Sequence, residues 1–214
     1  MSEPTPYPPE PWHLAGAGQI TTWRLPADAL PPLPTGVRPV SLRGQAVVVT
    51  AFVDYRDEPP HGGQMTYHEL LAAVLVRHGR GVALSITDIW VDDETSLAGG
   101  RGLWGIPKDL ARFEVTASAG SATDDTGPIA FATFLPRGLP AVPLPRLPST
   151  VVQTLDGRTV ASPIRAGGPV RAARSDWTFP SAGPLGWMRA GRPVASVLAP
   201  RFAMSFGSLS AAAG

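Results

Sequence analysis

The chain reads as a mainly β protein, antiparallel and barrel-like, with few and short helices. Three observations predict this. Runs rich in β-branched and aromatic residues recur at strand length along the 214 residues. Glycine and proline, 23 and 25 in number, punctuate them at turn spacing. Only one longer segment spaces its apolar residues in a way that also fits a helix. Together these favour a sheet curling on itself over a layered α/β design. With 43% apolar residues, residues 12–214 are expected to form a single domain. Ahead of it lies a proline-rich tail, 1–11, either mobile or laid on the surface.

The elements follow in chain order. Gln19–Leu25 alternates apolar and polar residues, as a half-buried strand does, and Ala46–Tyr55 is a longer strand-like run. Arg56–Gly63 is a loop. Thr66–Arg77 carries Leu70, Leu71, Val74 and Leu75 at helical spacing, yet equally suits a buried strand. Val82–Val91 reads as a strand and Asp92–Glu94 as an acidic turn. Gly99–Asp109, with four glycines and a proline, reads as a loop with special backbone demands. Pro107 then suits the first turn of a short helix through Lys108–Arg112, where its missing N–H costs nothing. Phe113–Ala117 and Ile129–Leu135 are strand-like, and proline-rich 136–148 is a long irregular connection. Val151–Val160 reads as a hairpin around Asp156-Gly157. Two last strands are expected at Ala195–Leu198 and Phe202–Phe206.

Composition removes several function classes. Charged residues make up 16%, below the ~25% usual for soluble chains. The formal charge is +1 and the arginines form no basic run, so nucleic acid is not an expected partner. Absence of cysteine excludes disulfides, thiol catalysis and cysteine-ligated metal. His61, His68 and His78, near Asp54, Asp57 and Glu58, lack helical zinc spacing, so neither metal nor other cofactor is expected. Neither a Gly-x-Ser-x-Gly nucleophile motif nor a nucleotide-binding glycine motif in its strand–helix setting occurs. The N-terminus lacks a basic start and an apolar stretch, and the longest clean apolar run is only Leu70 to Val76. A cytoplasmic protein with no membrane partner is the expectation.

One residue stands apart. Of 18 basic residues, 17 are arginine and one is lysine, Lys108. Codon bias toward arginine, with one lysine surviving by chance, is the bland explanation. The chemical one is that lysine can lose its proton and attack a carbonyl, whereas a guanidinium stays charged.

Lys108 lies in Gly99-Gly100-Arg101-Gly102-Leu103-Trp104-Gly105-Ile106-Pro107-Lys108-Asp109-Leu110-Ala111, with Tyr67-His68-Glu69 upstream and a Pro11-Trp12-His13-Leu14…Trp23-Arg24 opening. The lysine segment resembles that of the acetoacetate decarboxylases, in which Gly-Arg-Glu leads through an aromatic and a glycine into Pro-Lys-Lys-Leu. Tyr67-His68-Glu69 resembles the family's Tyr-x-Glu. The likeness is specific over residues 65–113 and thin after 150. It implies an antiparallel β-barrel or cone of the acetoacetate decarboxylase-like type, in homo-oligomers, with the lysine pointing into an apolar cavity. It also implies that Lys108 forms an imine with a small-molecule carbonyl substrate, with Glu69 as acid–base residue. Apolar burial and a neighbouring cation favour the reactive, uncharged amine, and acetoacetate decarboxylase is itself the standard illustration of such activation.

Departures from the family pattern bear on the reaction. Asp109 replaces the second lysine, Gly102 a glutamate, and Gly16 the arginine that would hold a carboxylate; Thr50 falls near the family's first active-site glutamate. Arg101 and Arg24 are the candidate replacements for the missing cation. Asp109 would oppose activation if it met Lys108, but neighbours on a helix do not face each other. The candidate site is therefore Lys108 and Glu69 as catalytic residues with Arg101 and Trp104 binding substrate. Each has a structural alternative: Arg101 pinning the glycine loop through backbone carbonyls, Trp104 packing the core, Glu69 as a solvated charge. Tyr67 is expected opposite Glu69 as a packing residue, and His68 on the opposite face as well.

The functional reading is a lyase that forms a lysine Schiff base with a small keto acid or aldehyde. Its reaction is either β-keto acid decarboxylation or aldol and dehydratase chemistry. The alternative is a catalytically degenerate barrel that binds a small apolar or carbonyl ligand.

Overall fold

The computed structural model describes residues 5–57 and 64–208. Residues 58–63 of the expected loop, with Glu58 and His61, lie outside the described residues. The first strands are β1 (Trp12–Pro26), β2 (Arg38–Pro39), β3 (Ser41–Leu42), β4 (Gln45–Tyr55), β5 (Tyr67–His78) and β6 (Gly81–Val91). Helix α1 (Glu94–Trp104) follows, then β7 (Lys108–Leu110), β8 (Arg112–Val115), β9 (Ala119–Asp124) and β10 (Gly127–Pro136). The last described strands are β11 (Val142–Leu155), β12 (Arg158–Thr178) and β13 (Arg192–Phe206), and short 3-10 turns lie at Ala27–Ala29 and Gly186–Ala190.

Strands run side by side in the order β11-β6-β5-β4-β1-β13-β12, and β12 pairs back onto β11, so seven strands form a ring. All these pairings are antiparallel except that of β11 with β6, a single parallel pair between Val151 and Leu84. One seam is thus barely hydrogen-bonded, and the ring is a cone rather than a regular barrel. β12 continues into a wing, β10-β9-β8, that packs on the outer face of β4 and β5.

Alternation along the strands then fills two cores. Val53, Tyr55, Tyr67, Ala73, Ile86 and Phe206 face the inside of the ring. Phe52, Leu70, Val74, Ile129, Phe134 and Ala132 pack between the ring and its wing. Strands buried on both faces lose their polar alternation and read as continuous apolar runs. That is why Thr66–Arg77 looks helical in sequence yet is β5. In β6, Ala72 pairs with Asp88 and Ala73 with Ile86, leaving Thr87 as an extra residue, so Ile86 and Ile89 both face inward.

Four expectations are corrected. Gly99–Asp109 is not a loop: α1 covers its first half, started by Asp93, whose side chain accepts from the Ser96 N–H at 2.6 Å, and ended by Gly105 at φ 64°. Lys108–Arg112 is not a helix, because β7 pairs in parallel with β6, Ile89 beside Lys108. The stretch 136–148 is not irregular, since β11 begins at Val142 and pairs with β12. Pro143, Pro145 and Pro148 sit on the exposed first half of β11, which pairs with β12 on one side, so a missing donor is tolerated. The two final strands are one, β13; β9 was not expected, and β12 was expected only as the second arm of the hairpin, up to Val160. The Asp156-Gly157 hairpin is as anticipated, with both residues at positive φ. Among the described residues, no helix is long and apolar enough to cross a membrane.

Candidate functional site

The glycines of α1 explain themselves through what they touch. A Cβ at Gly100 would stand 2.7 Å from Lys108 Cδ and 2.8 Å from Cε. One at Gly99 would enter the Trp12 ring, and one at Gly102 would meet the Tyr7 hydroxyl. Glycine lowers helix propensity by about 1 kcal/mol per residue, and here it admits close packing on three sides. Arg101 completes the clamp by donating from Nε to the Lys108 carbonyl at 2.7 Å and from its guanidinium to Asp109. It fastens β7 to α1, as the pinning alternative has it, and its guanidinium does not line the cavity.

β7 alternates, so Lys108 points inward and Asp109 outward to Arg101. Strand geometry, not helical spacing, keeps the two apart. Lys108 is 3% exposed and Glu69 4%. The lysine Nζ donates to Glu69 Oε2 at 3.0 Å and to Ser96 Oγ at 2.7 Å, and lies 5.1 Å from the centroid of the Tyr67 ring. Tyr55 donates to the other Glu69 oxygen at 3.3 Å. Burial and the Glu69 charge push the hydroxyls of Tyr55 and Tyr67 well above the ordinary tyrosine range, so both remain donors.

These groups sit at one wall of a cavity of about 370 Å³ inside the ring. Leu14, Ile20, Leu71, Leu84, Ile86 and Ile106 are among its walls, and among the described residues its polar side chains, the tryptophan indoles aside, are Tyr55, Tyr67, Glu69, Lys108 and Ser149. Trp104 lines it too, against Trp12 at 4.8 Å and Phe206 at 4.3 Å between ring centroids. Its indole N–H is held by Glu10 at 2.9 Å, so residues 5–11 include a strut beneath the site, not a loose tail.

Sequence reasoning placed Lys108, Glu69 and Trp104 together, and the structure does the same. Tyr67 differs from expectation: residues two apart on a strand share a face, so it joins Glu69 in the cavity. His68 faces outward to Asp92 at 2.7 Å. Thr50 lies on the outer side of β4, accepting from the Trp23 indole at 2.8 Å, while Val49, Ala51 and Val53 face the cavity. Arg24 is exposed and outside the cavity lining. A Cβ at Gly16 would collide with the Asp54 carbonyl oxygen, so no side chain projects there. Ser96 and Tyr55 were missed. Recognition of Asp93 as a helix cap would have put Ser96 and Gly100 on one helical face, four residues apart. Among the described residues, no group of three metal-ligating side chains occurs.

A model of the acetoacetate decarboxylase family matches residues 2–154. No match was found among curated proteins. Solved structures share the fold at low identity. The acetoacetate decarboxylase of Legionella pneumophila is 19% identical, with TM-score 0.66 over 96% of this chain and 89% of that one. The enduracididine biosynthesis enzyme MppR, complexed with pyruvate, is 18% identical with TM-score 0.65, over 94% and 90%. An acetoacetate decarboxylase-like enzyme from Sphingomonas wittichii RW1 is 15% identical with TM-score 0.61, over 97% and 95%.

Proposed function

Since this chain belongs to the acetoacetate decarboxylase family, we propose that it is a lyase whose Lys108 forms a Schiff base with a carbonyl substrate. The observation that carries this reading is the buried contact of Lys108 Nζ with Glu69 Oε2 at 3.0 Å in an otherwise apolar cavity. An ion pair of that kind is costly to bury and adds little to stability that well-packed apolar residues would not supply. A working pair accounts for its presence.

The chemistry follows from the contacts. Glu69 is placed to take the ammonium proton, freeing the Nζ lone pair to attack the carbonyl carbon. It then returns a proton to the carbinolamine hydroxyl, which leaves as water, and the C–N double bond forms. Ser96 Oγ and the Tyr67 ring hold Nζ in place, and Tyr55 orients the carboxylate. The resulting iminium withdraws electrons from the neighbouring carbon, as decarboxylation, aldol addition and dehydration all require. Among the described residues that line the cavity, Lys108 is the one cation, and it is the nucleophile. With no second cation for a substrate carboxylate, the geometry favours aldol and dehydratase chemistry over decarboxylation. The same apolar lining suits the alternative, a barrel that only binds its ligand.

Mass spectrometry after incubation with pyruvate or an aldehyde and sodium borohydride separates these readings. A reduced adduct mapped to Lys108, absent in a folded Lys108→Arg variant, is the expected result. An adduct that persists in that variant, or no adduct from any carbonyl compound, refutes the Schiff-base reading. The single lysine leaves only the N-terminal amine to distinguish, which peptide mapping does.

A further inference from the structure

Charge inside the cavity is already balanced. Lys108 Nζ and Glu69 Oε2 stand 3.0 Å apart, and both side chains are buried. Among the described residues that line the cavity, no other side chain carries a full charge. Even the exposed members of the lining, Leu144, Leu147 and Ser149, are uncharged. Arg101 is turned away to Asp109.

Imine formation on a neutral carbonyl compound keeps that balance at every step. Glu69 takes the ammonium proton, and the ion pair becomes an amine beside a carboxylic acid. Nζ adds to the carbonyl carbon, and a proton moves from nitrogen to oxygen. The acid protonates the new hydroxyl, which leaves as water. What remains is an iminium beside a carboxylate, again one charge of each sign. A substrate carboxylate would add a second negative charge, while the single cation is already matched by Glu69. An anion without a partner in apolar surroundings is strongly disfavoured. The tyrosine hydroxyls already feel this: burial first, then the Glu69 charge, opposes ionisation of Tyr55 and Tyr67.

Size points the same way. At ~30 Å³ for each non-hydrogen atom in a liquid, a cavity of about 370 Å³ holds about a dozen. Pyruvate or acetoacetate would fill roughly half of it and leave much of the wall formed by Leu14, Ile20, Leu71, Leu84 and Ile86 uncovered.

We propose that the substrate of the Lys108 site is a neutral, apolar aldehyde or ketone of about a dozen non-hydrogen atoms, and that the cavity rejects keto acids by charge. This rests on the Schiff-base reading and narrows it.

The test measures cyanoborohydride trapping of acetone, 2-octanone, pyruvate and 2-oxooctanoate on the intact protein, each normalised to butylamine under the same conditions. In each, Nζ adds to the carbonyl carbon, water leaves, and hydride is delivered to the imine carbon, giving a secondary amine. Pyruvate and 2-oxooctanoate are acetone and 2-octanone with one methyl beside the carbonyl replaced by a carboxylate, so each pair isolates the charge. 2-Octanone should half-saturate at a concentration at least ~100-fold below acetone, since each buried methylene contributes about fourfold. 2-Oxooctanoate should need at least ~tenfold more than 2-octanone. In Glu69→Gln the iminium would be free to pair with a substrate carboxylate, so the ratio of 2-oxooctanoate to 2-octanone half-saturation should fall at least ~tenfold. The comparisons on the parent protein decide the matter whether or not that variant folds. 2-Octanol, which cannot form an imine, should raise the thermal midpoint by mass action.

Trapping of either keto acid at or below the concentration of its neutral partner overturns the neutral substrate and leaves Lys108 chemistry standing. So does an unchanged ratio in folded Glu69→Gln, or equal half-saturation for acetone and 2-octanone. A midpoint unmoved by 2-octanol also overturns it. A midpoint raised by 2-octanol, with no adduct from any of the four compounds, sinks the Schiff-base reading and this proposal with it.

Discussion

Substitution of Gly100 by alanine should make the protein more helical and less reactive at once. The added Cβ would stand 2.7 Å from Lys108 Cδ and 2.8 Å from Cε. Carbon atoms prefer separations of about 3.5–4.0 Å, so the lysine stem must retreat by close to ~1 Å. Its Nζ is then drawn from Glu69 and Ser96, now at 3.0 and 2.7 Å. A misplacement of about 1 Å at a reacting group costs on the order of 100-fold in rate. Against this, alanine gains up to about 1 kcal/mol of helix propensity over glycine, offsetting much of the cost of the crowding. The expected outcome is a thermal midpoint within a few degrees of the parent, with borohydride trapping at Lys108 slowed roughly 100-fold. Both quantities are read on one preparation, by circular dichroism and by timed mass spectrometry. Trapping at the parental rate would refute the idea that the glycine exists to admit the lysine stem. A collapsed fold with loss of both signals would equally refute it, by showing that Gly100 serves packing at large.

Three further outcomes follow from the same geometry. Ser96→Ala removes a buried acceptor from the Lys108 ammonium, so urea unfolding should show a loss of about 1.5–3 kcal/mol, with unchanged secondary structure. Gly16→Arg, the substitution that restores the family's arginine, should fail to give decarboxylation of acetoacetate and should destabilise the protein, since its Cβ meets the Asp54 carbonyl; a stable, active variant would contradict the register of β1 on β4. Burial holds the Asp88 carboxyl above its usual range, so its contribution to stability is complete in acid and is lost as pH rises through the raised value. Asp88→Asn should therefore raise the melting temperature at pH 7 and leave it unchanged near pH 3; equal gains at both would rule out charge burial as the cause.

The fold class was legible because strand-length apolar runs and turn residues are local properties. So was the buried pairing of Lys108 with Glu69, since Lys108 is the sole lysine and Glu69 falls in a recognisable segment. The helix was not legible. Gly99, Gly100 and Gly102 argue against helix by propensity, and what overrides them is contact with Trp12, Lys108 and Tyr7, residues remote in sequence or on another element. Lys108 itself was expected on a helix because Pro107 suits a first turn, whereas β6 offers it a strand to join. The face assigned to Tyr67 was an error of period, since residues at i and i+2 of a strand lie together.

What the amino-acid sequence determined by itself was chemical inventory and local habit: a single lysine, no thiol, and a chain disposed to strands. What only the tertiary structure decided was who meets whom. The absence of a second cation among the described residues that line the cavity, the outward turn of Asp109 and Arg101, and the recruitment of Ser96 and Tyr55 all arise from strand register and closure of the ring. Register is set by the summed packing of both sheet faces and by bulges at Thr87 and near Gly16, Gly167 and Leu144. Each of those is a long-range balance, and a one-residue slip in any of them would send its side chains to the opposite face.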